Sequence, residues 1–173
     1  MAPSRSARGS TLPASQTSGH ARSLTSDSPE ATFALGERLA AVAVAGDLIC
    51  LWGDLGAGKT VFAKGFGRGL RVSATINSPS FILMAEYEGR LRLFHIDLYR
   101  LADASEALLG GLLDERQADG VTLVEWPDRL GATLPAERLD IRIEASGDQA
   151  RSIHLVAGTP ALARYLDAVG GEP

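Results

Sequence analysis

Residues 47–70 read D-L-I-C-L-W-G-D-L-G-A-G-K-T-V-F-A-K-G-F-G-R-G-L, and the eight positions Gly53 to Thr60 satisfy the spacing G-x-x-x-x-G-K-[ST]. The run before them, Asp47 to Trp52, is short and apolar, as expected of a central strand. Lys59 to Leu70 has helical character. A glycine-rich turn between strand and helix lets consecutive backbone N–H groups point into one concavity, and the helix dipole adds positive potential there. Asp54, Leu55, Gly56, Ala57, Gly58, Lys59, Thr60 and Val61 are therefore the candidate nucleotide-binding segment. Lys59 would reach the β and γ phosphates, and the Thr60 hydroxyl is placed for Mg²⁺, a hard cation that prefers oxygen ligands.

Working outward, Asp27-Ser28-Pro29-Glu30 combines a capping side chain, a first-turn proline and an early acid, which predicts a helix start. Phe33, Leu35, Leu39, Ala40 and Val42 supply its buried stripe. Glycines 65, 67 and 69 should loosen the later turns of the helix after the loop. Phe81–Tyr87 and Arg90–Asp97 read as a hairpin turning at Glu88-Gly89, and Val121–Trp126 as a buried strand. Asp103–Arg116 has helical spacing interrupted at Gly110-Gly111. Arg138–Ala145 and Arg151–Val156 alternate around Gly147-Asp148 as two further strands. Strands alternating with helices predict an α/β fold, a single P-loop NTPase domain. The hairpins require a mixed parallel/antiparallel sheet with helices on its faces.

The chain has 173 residues, 45% hydrophobic and 22% charged, room for one ordinary domain and unlike a disordered or fibrous protein. Its 17 basic residues, all arginine except Lys59 and Lys64, are scattered and leave a net charge of -4, which disfavours a dedicated nucleic-acid binder. The longest apolar stretch, Leu39–Ala45, is too short to cross a bilayer. One cysteine, Cys50, cannot form an internal disulfide and fits a reducing cytoplasm. Residues 1–26 hold three arginines, no acid and few large aliphatics, and read as a disordered tail; an organellar transit peptide is the alternative, poorly supported by only Leu12 and Leu24. The domain is expected over 27–160, followed by a helical turn and tail over 161–173.

A nucleotide site needs an acid on another strand to hold the metal or orient the nucleophile. Asp97, ending L-R-L-F-H-I-D, and Glu125, ending V-T-L-V-E, are the two candidates. The guanine-recognition run N-K-x-D is absent, which favours ATP. No compact arginine cluster follows to serve as the lid of a small-metabolite kinase, an alternative that would consume ATP only with an acceptor.

Four strings in order, G-D-L-G-A-G-K-T, S-P-S-F (Ser78–Phe81), H-I-D-L-Y-R-L (His95–Leu101) and L-V-E-W-P (Leu123–Pro127), carry a likeness. With E-A-T-F-A-L-G-E-R-L and Leu134-Pro135 it covers about residues 28–156. The chain resembles the bacterial tRNA threonylcarbamoyladenosine biosynthesis ATPase family, TsaE. That resemblance implies an ATP- and Mg²⁺-dependent hydrolase, weak alone. It would serve the tRNA threonylcarbamoyl transferase and its non-catalytic partner subunit, which modify adenosine 37. tRNA would be contacted mainly through the complex, and the chain alone would be a monomer. The resemblance places the metal on Thr60 and Glu125, makes Asp97 the base or water-orienting acid, and adds Thr32 to the nucleotide pocket. Lys59, Asp97 and Glu125 thus form the catalytic set. Ser78–Phe81 would correspond to a loop sensing the γ phosphate. For Trp126 a rim aromatic and a partner or switch role both stand, for His95 strand packing and pairing with an acid, and for Tyr99 and Arg100 positioning of the Asp97 loop and simple solvation. A nucleotide-gated interaction module, with incidental hydrolysis, is the second reading.

Overall fold

The computed structural model describes residues 21–102, 105, 113 and 115–170. Seven strands form one sheet: β1 (Ala21–Ser26), β2 (Leu48–Trp52), β3 (Met84–Tyr87), β4 (Arg92–Asp97), β5 (Gly120–Glu125), β6 (Leu139–Ala145) and β7 (Arg151–Ala157), in the order β1-β7-β6-β2-β5-β4-β3. The centre is parallel, β2 pairing with β5 and β6, and β4 with β5. The margins are antiparallel, through β3 on β4, β7 on β6 and β1 on β7. The mixed sheet expected from the hairpins is therefore present. The β3–β4 hairpin is shorter than the sequence pattern, because Phe81–Leu83 form a turn before β3 begins.

Alternation along each strand sorts the core. Ile49 and Leu51, Leu93, Val121 and Leu123, and Ile141 and Ile143 face three helices, α1 (Pro29–Ala40), α2 (Lys59–Gly69) and α3 (Ala163–Gly170). Leu48, Cys50, Trp52, Ile96 and Val124 face the other way, against Leu98, Leu101 and Leu130. Ser28 caps α1 as expected, its hydroxyl accepting from the Ala31 N–H at 3.1 Å. The α2 glycines do not loosen that helix. A Cβ on Gly36 would sit 2.4 Å from the Phe62 carbonyl, and one on Gly65 2.0 Å from the Phe33 carbonyl, so these positions let α1 and α2 pack backbone to backbone.

Both ends of the domain differ from the sequence expectation. Residues 21–26, assigned to a disordered tail, instead form β1, registered from Ala21↔Val156 to Ser26↔Arg151. Its exposed side chains carried no burial signal; backbone pairing with β7 and partial burial of Leu24 hold it. At the other end α3 is a full helix with Tyr165 and Leu166 buried, so it belongs to the core rather than to a tail. Asp47, 8% exposed, ties it down: its carboxylate takes two hydrogen bonds from Arg164 and one of 2.6 Å from the Tyr165 hydroxyl. Residues 1–20 of the expected tail, and most of the expected helix over Asp103–Arg116, lie outside the described residues. Glu115–Asp119 is a 3-10 turn.

Candidate nucleotide site

The C-terminal ends of β2, β4 and β5 lie side by side, and the loop leaving β2 wraps into α2 there. Gly53 leaves the strand at φ 146°, where a Cβ would meet the Ile143 carbonyl at 2.3 Å, so only glycine fits. Gly56 and Gly58 also have positive φ, 77° and 113°. These turns close the loop under a cavity of about 420 Å³ lined by Leu55, Gly56, Gly58, Lys59, Thr60 and Val61 of the loop and helix start. Opposite them stand Ser78, Ser80, Asp97, Tyr99, Arg100, Glu125 and Trp126.

The register Asp97↔Glu125 puts the two strand-end acids next to each other on the helix-bearing face. Both are buried, at 4% and 3% exposure. Asp97 Oδ1 accepts the Tyr99 N–H at 2.8 Å, and Oδ2 accepts the Ser78 hydroxyl. Glu125 Oε1 is 2.9 Å from His95 Nε2, which resolves the histidine in favour of pairing with an acid. Lys59 donates to the carbonyls of Gly53 (2.6 Å) and Asp54 (2.8 Å), and its ammonium lies 4.3 Å from the centre of the Trp126 ring. Burial lowers the Lys59 pKa below its ordinary value, opposed first by Glu125, then by Asp97, Asp54 and Asp128.

Not every expected residue faces the cavity. Asp54 and Ala57 act through their backbones: the Asp54 carbonyl receives both Lys59 and the Ala57 N–H, and the Ala57 carbonyl accepts Arg151 Nε at 2.8 Å. Thr32 is buried behind the loop, its methyl 3.8 Å from where a Gly58 Cβ would be and its hydroxyl bonded to Ser26 at 2.7 Å. Arg151 escaped the sequence reading because nothing local marks it; only the β1–β7–β6 order brings it to the loop. Trp126 sits at φ 58°, an uncommon backbone for a bulky residue, and its ring meets Tyr99 at 5.0 Å. Both therefore belong to the site wall.

The donor set suits Mg²⁺, since the hydroxyl of Thr60 and the carboxylate of Glu125 share the cavity and both offer oxygen. Among the described residues, no group of three or more His, Cys, Asp or Glu could hold a metal by itself, which suits an ion that keeps much of its shell as water and phosphate oxygens.

A family model described as threonylcarbamoyl adenosine biosynthesis protein TsaE matches residues 26–153. The chain belongs to the TsaE family. A Bacillus subtilis relative named tRNA threonylcarbamoyladenosine biosynthesis protein TsaE is 47% identical over 130 residues, covering 75% of this chain and 81% of its own. A relative of the same name from Streptomyces coelicolor is 37% identical over 138 residues, 78% and 93% of the two chains. The crystal structure of Bacillus subtilis YdiB superposes with a TM-score of 0.73 at 35% identity over 88% of this chain and 95% of that one. TsaE-family membership agrees with the four motifs, all of which supply cavity-lining residues, Ser78 and Ser80 coming from S-P-S-F. No helix among the described residues is long and apolar enough to cross a membrane.

Proposed function

We propose that this TsaE-family chain hydrolyses Mg·ATP in support of threonylcarbamoylation of adenosine 37 in tRNA. It would act as a subunit beside the tRNA threonylcarbamoyl transferase and its non-catalytic partner. The observation that carries the reading is the meeting of Lys59, Thr60, Asp97 and Glu125 on one cavity at the phosphate-binding loop.

The roles follow from the groups. The backbone N–H groups of the 53–60 loop bind the phosphates. Lys59 leaves its two carbonyl partners for the γ phosphate, where its charge counters that which develops on the transferring group. Bound Mg²⁺, held by Thr60 and Glu125 with phosphate oxygens, would supply further charge neutralisation. Asp97 orients the attacking water and accepts its proton once Ser78 releases Oδ2. Trp126 and Tyr99 wall off that side and exclude bulk water.

The exposed apolar side chains beside the site, Leu55 at 76%, Phe81 at 83% and Ile82 at 69%, favour a second reading in which bound nucleotide sets affinity for a partner. Phosphate release from Mg·ATP, measured alone and with the transferase pair and with Lys59→Ala as the blank, separates the two. Stimulation that vanishes in the variant supports hydrolysis as the function. Nucleotide-dependent partner binding without stimulated release supports the gated module.

A further inference from the structure

The role of His95 rests on that proposed for Glu125 as the metal-side carboxylate. His95 is fully buried on β4, two residues before Asp97 and on the same face of the sheet. Nε2 is engaged by Glu125 Oε1 at 2.9 Å, whereas Nδ1 is buried with no hydrogen-bond partner among the described residues. A carboxylate can only accept, so Nε2 carries a proton, and in the neutral imidazole Nδ1 is then left as a buried acceptor without a partner. Such an orphan destabilises the fold. A side chain wanted for packing alone would be Phe or Leu, neither of which strands a nitrogen. The imidazole is thus kept for what its other nitrogen does.

We propose that His95 is a positioning residue which, as the Nε2–H tautomer, fixes one oxygen of Glu125 and leaves the second oxygen as the one presented to the cavity. Among the described residues no hydrogen bond engages that second oxygen, and Glu125 lines the cavity. A carboxylate held at one oxygen is restrained from turning its second oxygen out of the cavity or onto Lys59, on whose charge Glu125 acts more strongly than any other carboxylate. Partners of this kind, when removed, typically weaken metal binding by roughly 10–100-fold.

The test compares two substitutions that a packing role and a donor role rank in opposite order. Phe keeps the ring and loses the donor; Gln loses the ring but carries an amide N–H about as far out as Nε2. Half-maximal Mg²⁺ for phosphate release is measured for wild type, His95→Phe, His95→Gln and Glu125→Gln, with Mg²⁺-free nucleotide affinity and thermal midpoint on the same preparations. His95→Phe is expected to need roughly 10–100-fold more Mg²⁺ with Mg²⁺-free affinity unchanged, and His95→Gln to stay within about threefold of wild type. Equal Mg²⁺ requirements in wild type and His95→Phe, or a better result for Phe than for Gln, overturn the proposal. Nitrogen-15 NMR of the metal-free wild type provides a readout independent of activity. A protected Nε2–H beside an unprotonated Nδ1 supports the assignment, and a proton on Nδ1 overturns it. An unaltered Mg²⁺ requirement in Glu125→Gln would instead sink the reading of Glu125, leaving the tautomer measurement to judge His95 by itself.

Discussion

Asp97→Asn isolates the chemistry of the site from its architecture. The substitution exchanges a carboxylate for an amide of nearly the same shape at a position 4% exposed. The side-chain oxygen still accepts the Tyr99 N–H, now held at 2.8 Å, and the new NH₂ faces the Ser78 hydroxyl, which can accept as well as donate. At most one hydrogen bond changes character, so unfolding free energy should move by no more than about 1 kcal/mol. What disappears is the proton acceptor. Loss of a positioned general base costs about 10²–10⁴-fold, or about 2.7–5.4 kcal/mol of barrier at about 1.36 kcal/mol per tenfold. ATP affinity should hold or tighten, because a negative charge leaves the neighbourhood of Lys59 and the phosphates. Single-turnover phosphate release, nucleotide displacement and thermal unfolding on one preparation measure all three quantities. A drop in ATP affinity matching the drop in rate, or a rate within about threefold of wild type, would refute the role given to Asp97.

Lys59→Ala should lose phosphate binding, turnover or both at neutral pH, read by the same displacement and release assays, with ATP affected more than an adenosine control. Because burial depresses the Lys59 pKa, the cost of its charge is present at neutral pH and is relieved as pH rises through the folded-state value towards 10.5; phosphate reverses the shift, so nucleotide binding in the alkaline range should take up protons and weaken with rising pH, and calorimetry in two buffers should show that uptake vanish in Lys59→Met. Gly53→Ala should destabilise by about 2–6 kcal/mol in urea melts, from backbone strain plus the 2.3 Å clash with the Ile143 carbonyl, against about 1–2 kcal/mol for Gly56→Ala, where nothing lies within 4 Å; equal losses would contradict the close approach. Asp47→Asn should cost about 1–3 kcal/mol, the buried-pair value discounted because the Arg164 side chain is 27% exposed, and lower Tm by about 2–12 °C without altering ATP affinity.

The loop, the strand before it and the helix after it were readable because each is local: glycines at fixed offsets, five apolar residues in a row, a cap before α1. The acids were also readable, since Asp97 and Glu125 each end an apolar run. Their adjacency was not, because it depends on β4 and β5 pairing in one register across a connection of 22 residues, 98–119. Arg151 and Thr32 show the same limit from the other side. Arg151 contacts the loop only because β7 folds back beside β6, and Thr32 was drawn into the pocket by likeness, while its hydroxyl has a partner in β1, a strand the composition hid. Local glycine statistics misread α2 for a similar reason. Gly65 is costly in an isolated helix, yet the backbone of α1 occupies the space where its side chain would be.

The buried polar residues divide between the two ends of the parallel strands, and the division argues for where the work is done. At the end where β2 begins, Asp47 is surrounded by donors: Arg164, the Tyr165 hydroxyl and the Val44 N–H at 2.9 Å. Burial opposes the Arg164 charge, but Asp47 outweighs it and holds that pKa above its ordinary value; burial and Asp47 together push the Tyr165 phenol up. Arg164 and Tyr165 are thereby locked in the forms they have at neutral pH, and both side chains are spent on Asp47. Where β2 ends, the pairing is provisional. Lys59 rests on two carbonyls and an indole ring, Asp97 on a serine hydroxyl from a turn with an exposed Phe81, and His95 keeps a nitrogen without a partner. A fold that can satisfy its buried charges so fully at one end of the sheet has no structural need to leave them so loosely held at the other. Of the looser set, Lys59 and Asp97 line the cavity, at the strand C-termini where open α/β sheets bind ligands. On the proposed reading, the partners that the Lys59 ammonium lacks are the oxygens of a nucleoside triphosphate.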